Sequence, residues 1–190
     1  AGQICLAPDY AFVPKEKTAD FVAAATQAIE TMYPSGLKDN EDYTSIVNQR
    51  HYDRLMGYID EAKSKGAEVI EINPTGENFS QQPYHKIPPH IIVDPSDDLK
   101  VMQDEIFGPI LPIKSYSDTK QTIDYINAHD RPLGLYYFGE DAAEKDMVLN
   151  NTTSGGVTVN DVIMHVGQED LPFGGVGPSG MGSYHGREGF

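Results

Sequence analysis

Short apolar runs alternate along this chain with stretches in which apolar residues recur every three or four positions, and this alternation restricts the possible folds more than any other feature. Short apolar runs, such as 67–72 and 90–93, indicate buried strands, whereas apolar residues at three- and four-residue spacings, as in 15–32, indicate a helix. Further strands are predicted over 7–13, 109–116, 133–138 and 155–160, and further helices over 45–64, 117–129 and 141–150. Because strands and helices alternate with short connections, we expect one three-layer α/β domain with a mostly parallel sheet.

A glycine-rich stretch at 171–182 formally matches the dinucleotide-binding pattern G-x-G-x-x-G. That pattern requires a strand before it and a helix that opens at its third glycine. Here a polar segment comes before it, and Pro178 with further glycines blocks a helix. We therefore predict a loop that folds closely against other backbone. The other segment without periodicity, 73–89, is interpreted as a surface excursion.

The charge and composition of the chain exclude several classes of partner. Its 190 residues include 14 Lys and Arg against 29 Asp and Glu, a formal net charge of -15. This balance disfavours nucleic acids and anionic membrane surfaces, because both favour Lys and Arg. No apolar run approaches the roughly 18 residues that a membrane span needs. We expect a globular domain with no nucleic-acid or membrane partner, and its hydrophobic fraction of 39% is enough for a core.

Cys5 is the only cysteine, which excludes an intrachain disulfide framework and multi-cysteine zinc sites. A lone cysteine is usually a small buried hydrophobe, but this one lies in a loop just before a strand, where a thiol can be presented among backbone N–H groups. A free thiol with a pKa near 8.5 is only about 3% thiolate at pH 7, so a nucleophile there needs a lowered pKa or a base. His85 and His90 have no third ligand nearby, and no metal is predicted.

The segment 103–109 is the second candidate for chemistry, because it places Glu105 and Phe107 at the entrance to a predicted strand. The simpler interpretation, which usually applies to such pairs of charged residues, is a solvated acidic turn that leads into the strand. As a functional element, its carboxylate would suit the hydroxyls of a sugar and its ring would suit a flat heterocycle. The residues alone leave both interpretations open.

Four motifs, taken in order along the chain, resemble the aldehyde dehydrogenase superfamily. They are residues 2–10, 105–109, 154–161 and 171–186. The Ala-Pro-Asp-Tyr after the cysteine and the ending Gly-Met-Gly-Ser-Tyr-His-Gly are similar to the branch that holds fatty, aromatic and coniferyl aldehyde dehydrogenases. The resemblance spans the whole chain. It implies that residues 1–190 are the catalytic domain, and that a Rossmann-type domain binding NAD or NADP belongs upstream of it.

The resemblance also implies roles for individual residues. Cys5 would be the nucleophile that forms a thiohemiacetal and then a thioester, with its own backbone N–H donating to the oxyanion. Glu105 would bind the ribose of NAD or NADP, and Phe107 would lie beside the nicotinamide. The general-base Glu and an oxyanion-binding Asn would belong to the upstream part.

The substrate side of the site is implied in the same way. Phe173 would pack near the thiol and the aldehyde substrate, and the substrate tunnel would be lined by Ile163, Val166 and His185. Such a tunnel would favour flat or long apolar aldehydes, such as coniferyl aldehyde. The resemblance further implies a cytoplasmic enzyme that assembles as a homo-oligomer, a dimer, in its full-length form, and an isolated chain that is inactive as a dehydrogenase.

Two other functions remain open at this point. One is a thiol-dependent hydrolase in which Cys5 works with His165 or His185 as base. The sequence supplies both residue types but no hydrolase motif around them. The other is a non-catalytic assembly fragment whose strand edges pair with another subunit.

Overall fold

The computed structural model describes residues 2–190, which form two compact units, one ending at Tyr116 and the other spanning Ser117–Phe190. The first unit contains a four-stranded sheet. Its strands are β1 (Ala11–Pro14), β2 (Glu68–Glu71), β3 (His90–Val93) and β4 (Ile110–Tyr116), in the spatial order β1-β4-β3-β2. The central strand β4 is parallel to both β1 and β3, and only β2 is antiparallel to its neighbour.

Helices cover both faces of this sheet. They are α1 (Thr18–Met32), α2 (Gln49–Ser64) and the short α3 (Lys100–Gln103). Adjacent residues of β3 face opposite sides: Ile91 lies in the cluster that includes α1, and Ile92 lies in the cluster that includes α2. The α1 contacts come from Phe21, Val22, Ala25 and Ile29, and the α2 contacts from Leu55, Tyr58, Ile59 and Ala62. The expected three-layer α/β arrangement with a mostly parallel sheet is confirmed.

Two element boundaries in this unit differ from the prediction. The helix predicted from Ser45 begins at Gln49, after Asn48, whose side chain caps it by accepting from the His51 N–H at 3.0 Å. Val47, which lies within the predicted range, precedes the observed helix, and its exposed fraction is 71%. The strand predicted over 7–13 begins only at Ala11, because the residues before it form a turn.

The second unit repeats the strand–helix alternation on a smaller scale. It contains α4 (Thr119–Ala128), β5 (Gly134–Tyr137), α5 (Ala142–Asn151) and β6 (Gly156–Val159), and β5 and β6 form a two-stranded parallel sheet. Both helices start at an aspartate whose side chain accepts backbone N–H bonds, Asp118 for α4 and Asp141 for α5. The core of the unit is formed by Ile123, Leu135, Tyr137 and Val148.

The glycine-rich stretch after β6 is a tightly folded loop, as predicted. A Cβ atom on Gly174 would lie 2.1 Å from the Gly182 carbonyl oxygen, and one on Gly175 would lie 2.1 Å from that of Ser179. Glycine is needed at both positions because backbone occupies the space that a side chain would fill. The stretch forms a single short 3₁₀ turn, Gly177–Ser179, where a dinucleotide-binding motif would open a helix.

Among residues 2–190, no helix combines the length and the apolar character that crossing a membrane requires.

A buried histidine on β3 makes the first unit sensitive to pH. His90 donates from Nδ1 to the Pro88 carbonyl at 2.7 Å, and its Nε2 lies 3.7 Å from a carboxylate oxygen of Glu71 on β2. Burial lowers the pKa of His90, the nearby positive charge of Lys63 acts in the same direction, and the Pro88 bond and Glu71 oppose the shift only in part.

The folded chain therefore binds this proton less readily than the unfolded chain does. The stabilisation that His90 provides is complete above its ordinary pKa of 6.5 and is lost as the pH falls through the lower folded value. We expect the free energy of unfolding to decrease with falling pH across this window, and His90→Gln to flatten that slope. Urea titrations at several pH values measure it, and an unchanged slope in the variant would contradict the assignment.

Candidate active site

Cys5 lies on a tight turn at the surface of the first unit. The turn is closed by a hydrogen bond from the Ala7 N–H to the Ile4 carbonyl at 2.9 Å, with Cys5 as its second residue. Cys5 is exposed, whereas its neighbour Leu6 is buried. The Leu6 side chain thus fixes the turn to the core, whereas the thiol of Cys5 is available to a ligand.

The backbone before Cys5 lies directly against the segment that begins β4. A Cβ atom on Gly2 would lie 2.3 Å from the Gly108 carbonyl oxygen, and Gly2 has φ +68°, a conformation that favours glycine. Gly108 in turn lies under Leu55 of α2, whose Cδ1 would be 2.5 Å from a Cβ atom at that position. Two glycines therefore allow the cysteine loop, the 105–109 segment and α2 to pack together.

The second predicted candidate, the Glu105–Phe107 stretch, presents both of its functional side chains outward. Ile106 between them is buried, whereas Glu105 is exposed and Phe107 has an exposed fraction of 38%. Phe107 has φ +51°, a left-handed conformation that is rare for a residue with a Cβ atom. The backbone is held in this shape by bonds to the Ile106 peptide groups.

Those bonds come from Asp9 and Arg54, which the sequence did not indicate as site residues. The Asp9 carboxylate accepts from the Ile106 N–H at 2.8 Å. Arg54 donates from Nη2 to the Ile106 carbonyl at 2.7 Å and from Nη1 to the Glu105 carbonyl at 3.2 Å. Asp9 follows Cys5 by four residues, so this bond joins the cysteine loop to the segment that carries Glu105 and Phe107.

The Asp9 carboxylate is in an unfavourable electrostatic setting. Burial raises its pKa above the ordinary value, and the negative charge of Glu105 acts in the same direction. The Ile106 N–H bond and the positive charge of Arg54 oppose the rise without cancelling it. The ionised form of Asp9 is therefore less favourable in the folded chain than it is in water.

The second unit brings the two rings of the predicted substrate side, those of Phe173 and His185, close to each other, and the ring of His165 lies close to that of Phe173. Phe173 is buried and pairs with Tyr184 in an isolated antiparallel bridge, with N···O distances of 2.7 and 2.8 Å. Its ring centroid lies 6.1 Å from the ring of His185, with the planes inclined by 30°, and 6.0 Å from the ring of His165. Phe173 and His185 are therefore neighbours, as a shared substrate wall requires.

The other two predicted tunnel residues lie on a short turn after β6. Ile163 has φ +67° and precedes the 3₁₀ turn Met164–Gly167, and the Val166 N–H donates to its carbonyl at 3.0 Å. The turn is attached to β6 through the Thr158 hydroxyl, which accepts from the His165 N–H at 3.2 Å and lies 2.8 Å from His165 Nδ1. Burial lowers the pKa of His165 below its ordinary value.

Comparison with known proteins gives the family directly. The family model described as "Aldehyde dehydrogenase family" matches residues 1–190. Over all of its 190 residues, this chain is 64% identical to a probable coniferyl aldehyde dehydrogenase of Caulobacter vibrioides and 56% identical to a coniferyl aldehyde dehydrogenase of a Pseudomonas species. In each case the chain spans 39% of the relative's length.

A solved structure gives the same result for the fold. The substrate-bound state of Staphylococcus aureus AldH matches with a TM-score of 0.90 and 36% identity, covering 100% of this chain and 40% of that one. The family resemblance of the four sequence motifs is therefore confirmed, together with the α/β fold it implied. The chain belongs to the aldehyde dehydrogenase family.

Proposed function

We propose that this chain is the catalytic domain of an NAD- or NADP-dependent aldehyde dehydrogenase that converts an aromatic or long-chain aldehyde, such as coniferyl aldehyde, to its carboxylic acid. One observation carries the proposal. The exposed thiol of Cys5 lies on a loop that is bonded, through Asp9, to the segment presenting Glu105 and Phe107. Two relatives bear the name coniferyl aldehyde dehydrogenase, which supports the substrate class.

In this mechanism the Cys5 thiolate adds to the aldehyde carbon and forms a thiohemiacetal, while the Cys5 backbone N–H donates to the developing oxyanion. NAD or NADP, when bound, supplies the hydride acceptor for the oxidation of that carbon. Cys5 then carries the acyl group as a thioester. Water attacks the thioester carbonyl, the C–S bond breaks, and the acid leaves as Cys5 regains its thiol.

The residues around Cys5 fit a nicotinamide cofactor. The exposed Glu105 carboxylate can accept hydrogen bonds from ribose hydroxyls, and the outward ring of Phe107 can contact a flat heterocycle. The hydrogen bonds that fix the Ile106 peptide groups keep both side chains in position before the cofactor binds. Such preorganisation reduces the ordering that binding would otherwise require.

On the substrate side, Phe173, His185, Ile163 and Val166 would accommodate the flat or extended apolar part of the aldehyde. The aromatic neighbours of Phe173 favour a planar substrate over a small one such as acetaldehyde. The cofactor domain, the general base and the oxyanion-binding Asn would come from the remaining length of the protein. The whole enzyme would assemble as a homodimer.

The test compares the full-length protein with the 190-residue chain, each supplied with coniferyl aldehyde and either NAD or NADP. We expect the full-length protein to form the acid with stoichiometric reduction of one cofactor. The isolated chain should form none, because the hydride acceptor must be held within about 3–3.5 Å of the reacting carbon, and we propose that the remaining length of the protein holds it. Cofactor-independent ester hydrolysis without any aldehyde oxidation would instead support the thiol hydrolase.

A further inference from the structure

We infer that Gln3 is a positioning residue for Cys5, and that its side-chain amide acts as one peptide group of a parallel β-bridge that fixes the cysteine turn. This inference rests on the proposed role of Cys5 as nucleophile. It assigns a function to a side chain that touches neither substrate nor cofactor.

The hydrogen bonds of Gln3 have the pattern of a strand pair. Its Nε2 donates to the Ser45 carbonyl at 2.8 Å, and its Oε1 accepts from the Val47 N–H at 3.0 Å. These two backbone groups flank Ile46 and point to the same side of the segment. In a parallel ladder, one residue donates to the carbonyl before its partner and accepts from the N–H after it. The Gln3 amide reproduces both bonds with a side chain.

The segment that receives these bonds is itself well fixed. The Ile46 side chain has an exposed fraction of 2% and lies in the core between α2 and the sheet. On the opposite edge, the Ile46 N–H donates to the His85 carbonyl at 3.1 Å. The helix α2 begins two residues after Val47. Gln3 therefore connects the cysteine loop to a segment whose Ile46 side chain lies in the core of the first unit.

Without this clamp, the backbone just before Cys5 would keep its packing against Gly108 but lose both hydrogen bonds that the Gln3 amide makes. Gly2 is in the left-handed region and lacks a side chain, so it can act as a pivot. After Cys5 the turn is fixed by the buried Leu6 and by the bond between Ala7 and Ile4. The Gln3 clamp restrains the side before the thiol, and together these contacts fix the direction in which the sulfur points.

The proposed bridge needs both the Nε2 donor and the Oε1 acceptor of Gln3, so two substitutions can test it. Gln3→Glu keeps an acceptor for Val47 but places an oxygen against the Ser45 carbonyl oxygen. Gln3→Met keeps the length of the side chain but removes both bonds and adds no charge. If positioning is the cause, the two variants should behave alike, whereas an effect of charge on the thiol would appear in Gln3→Glu alone.

The chain also contains a matched control. Gln82 also makes two side-chain amide bonds to backbone, although both go to one residue: Nε2 donates to the Lys86 carbonyl at 2.6 Å and Oε1 accepts from the Lys86 N–H at 2.8 Å. It lies in the 73–89 excursion and has no part in the proposed site. Gln82→Glu and Gln82→Met therefore remove the same kind of bond and report its general effect on the fold.

The experiment uses the full-length protein and measures kcat, KM for aldehyde, the rate of Cys5 alkylation by iodoacetamide and the thermal midpoint. We expect both Gln3 variants to lower kcat by about thirtyfold, because a small misplacement of a reacting atom has effects of this order. KM and the alkylation rate should change by less than about threefold, since the thiol remains exposed and only its direction is altered. Both Gln82 variants should keep kcat within about twofold.

Three outcomes would overturn the inference. They are a kcat in the Gln3 variants no lower than in the Gln82 variants, a loss confined to Gln3→Glu, and a loss of kcat matched by an equal loss of folded protein. Failure of the proposed function is distinguishable from all three. It would appear as full aldehyde oxidation in Cys5→Ala, whatever the Gln3 variants do.

Discussion

Cys5→Ser in the full-length protein is expected to lower the rate of aldehyde oxidation by about a thousandfold or more. A serine hydroxyl has the same geometry as the thiol but is a far weaker nucleophile at neutral pH unless a base activates it. The exposed side chain of Cys5 makes no hydrogen bond that the fold depends on, so the thermal midpoint should be unchanged. Cofactor reduction in the presence of aldehyde measures the first quantity, and differential scanning calorimetry the second.

The control for this variant is Ile4→Ala. Ile4 lies in the same turn, and its side chain is largely exposed, so its truncation should leave the rate within a fewfold of the original. If Cys5→Ser kept more than a tenth of the activity, the thiol would have no covalent role.

The second large effect is expected at Asp9. Asp9→Ala removes the partner of the buried Ile106 N–H, which costs about 1–3 kcal/mol of stability, and it releases the segment carrying Glu105 and Phe107 from the cysteine loop. We expect kcat to fall by about a hundredfold, because the Cys5 thiol is no longer held in a fixed position relative to Glu105 and Phe107. Asp9→Asn keeps an oxygen that can accept the same bond, so it should recover most of that loss.

Because the pKa of Asp9 is raised, we also expect Asp9→Asn and Asp9→Ala to differ in stability. Because the folded chain binds this proton more readily than the unfolded chain, the ionised carboxylate destabilises the fold. The favourable contribution of Asp9 comes from its protonated form, which is present at low pH and is lost as the pH rises through the raised pKa. Above that value, Asp9→Asn should be at least as stable as the parent protein, and Asp9→Ala should be less stable. A clear loss of stability in Asp9→Asn at neutral pH would contradict this electrostatic account.

Most of the elements could be predicted because apolar periodicity and capping residues determine them locally. The strand 90–93 has the predicted bounds, α1 begins three residues later than predicted, and α5 is shifted by one residue at each end. The errors fall where a tertiary contact decides the local structure. Residues 45–47 were expected to continue α2 towards the N-terminus, but they lie outside the helix, and their backbone groups bond to Gln3 and His85 instead. The four-residue α3 is too short to show a period.

In the candidate site too, some residues could be predicted from the sequence and others could not. Its side chains that would meet a ligand, Cys5, Glu105 and Phe107, came from motifs, and their roles remain proposals. The residues that hold them in place, Asp9, Arg54 and Gln3, form side-chain bonds to backbone groups 42 to 97 positions away along the chain. Such bonds leave no periodic pattern in a sequence, so only the folded chain reveals them.

The most direct test of the central claim is mass spectrometry of the peptide that contains Cys5. The full-length protein is mixed with coniferyl aldehyde and cofactor, quenched in acid during turnover and digested. The account predicts that this peptide gains the mass of the acyl group derived from the aldehyde, and that the gain disappears in Cys5→Ala. An acyl adduct on any other residue, or steady turnover in Cys5→Ala, would contradict it.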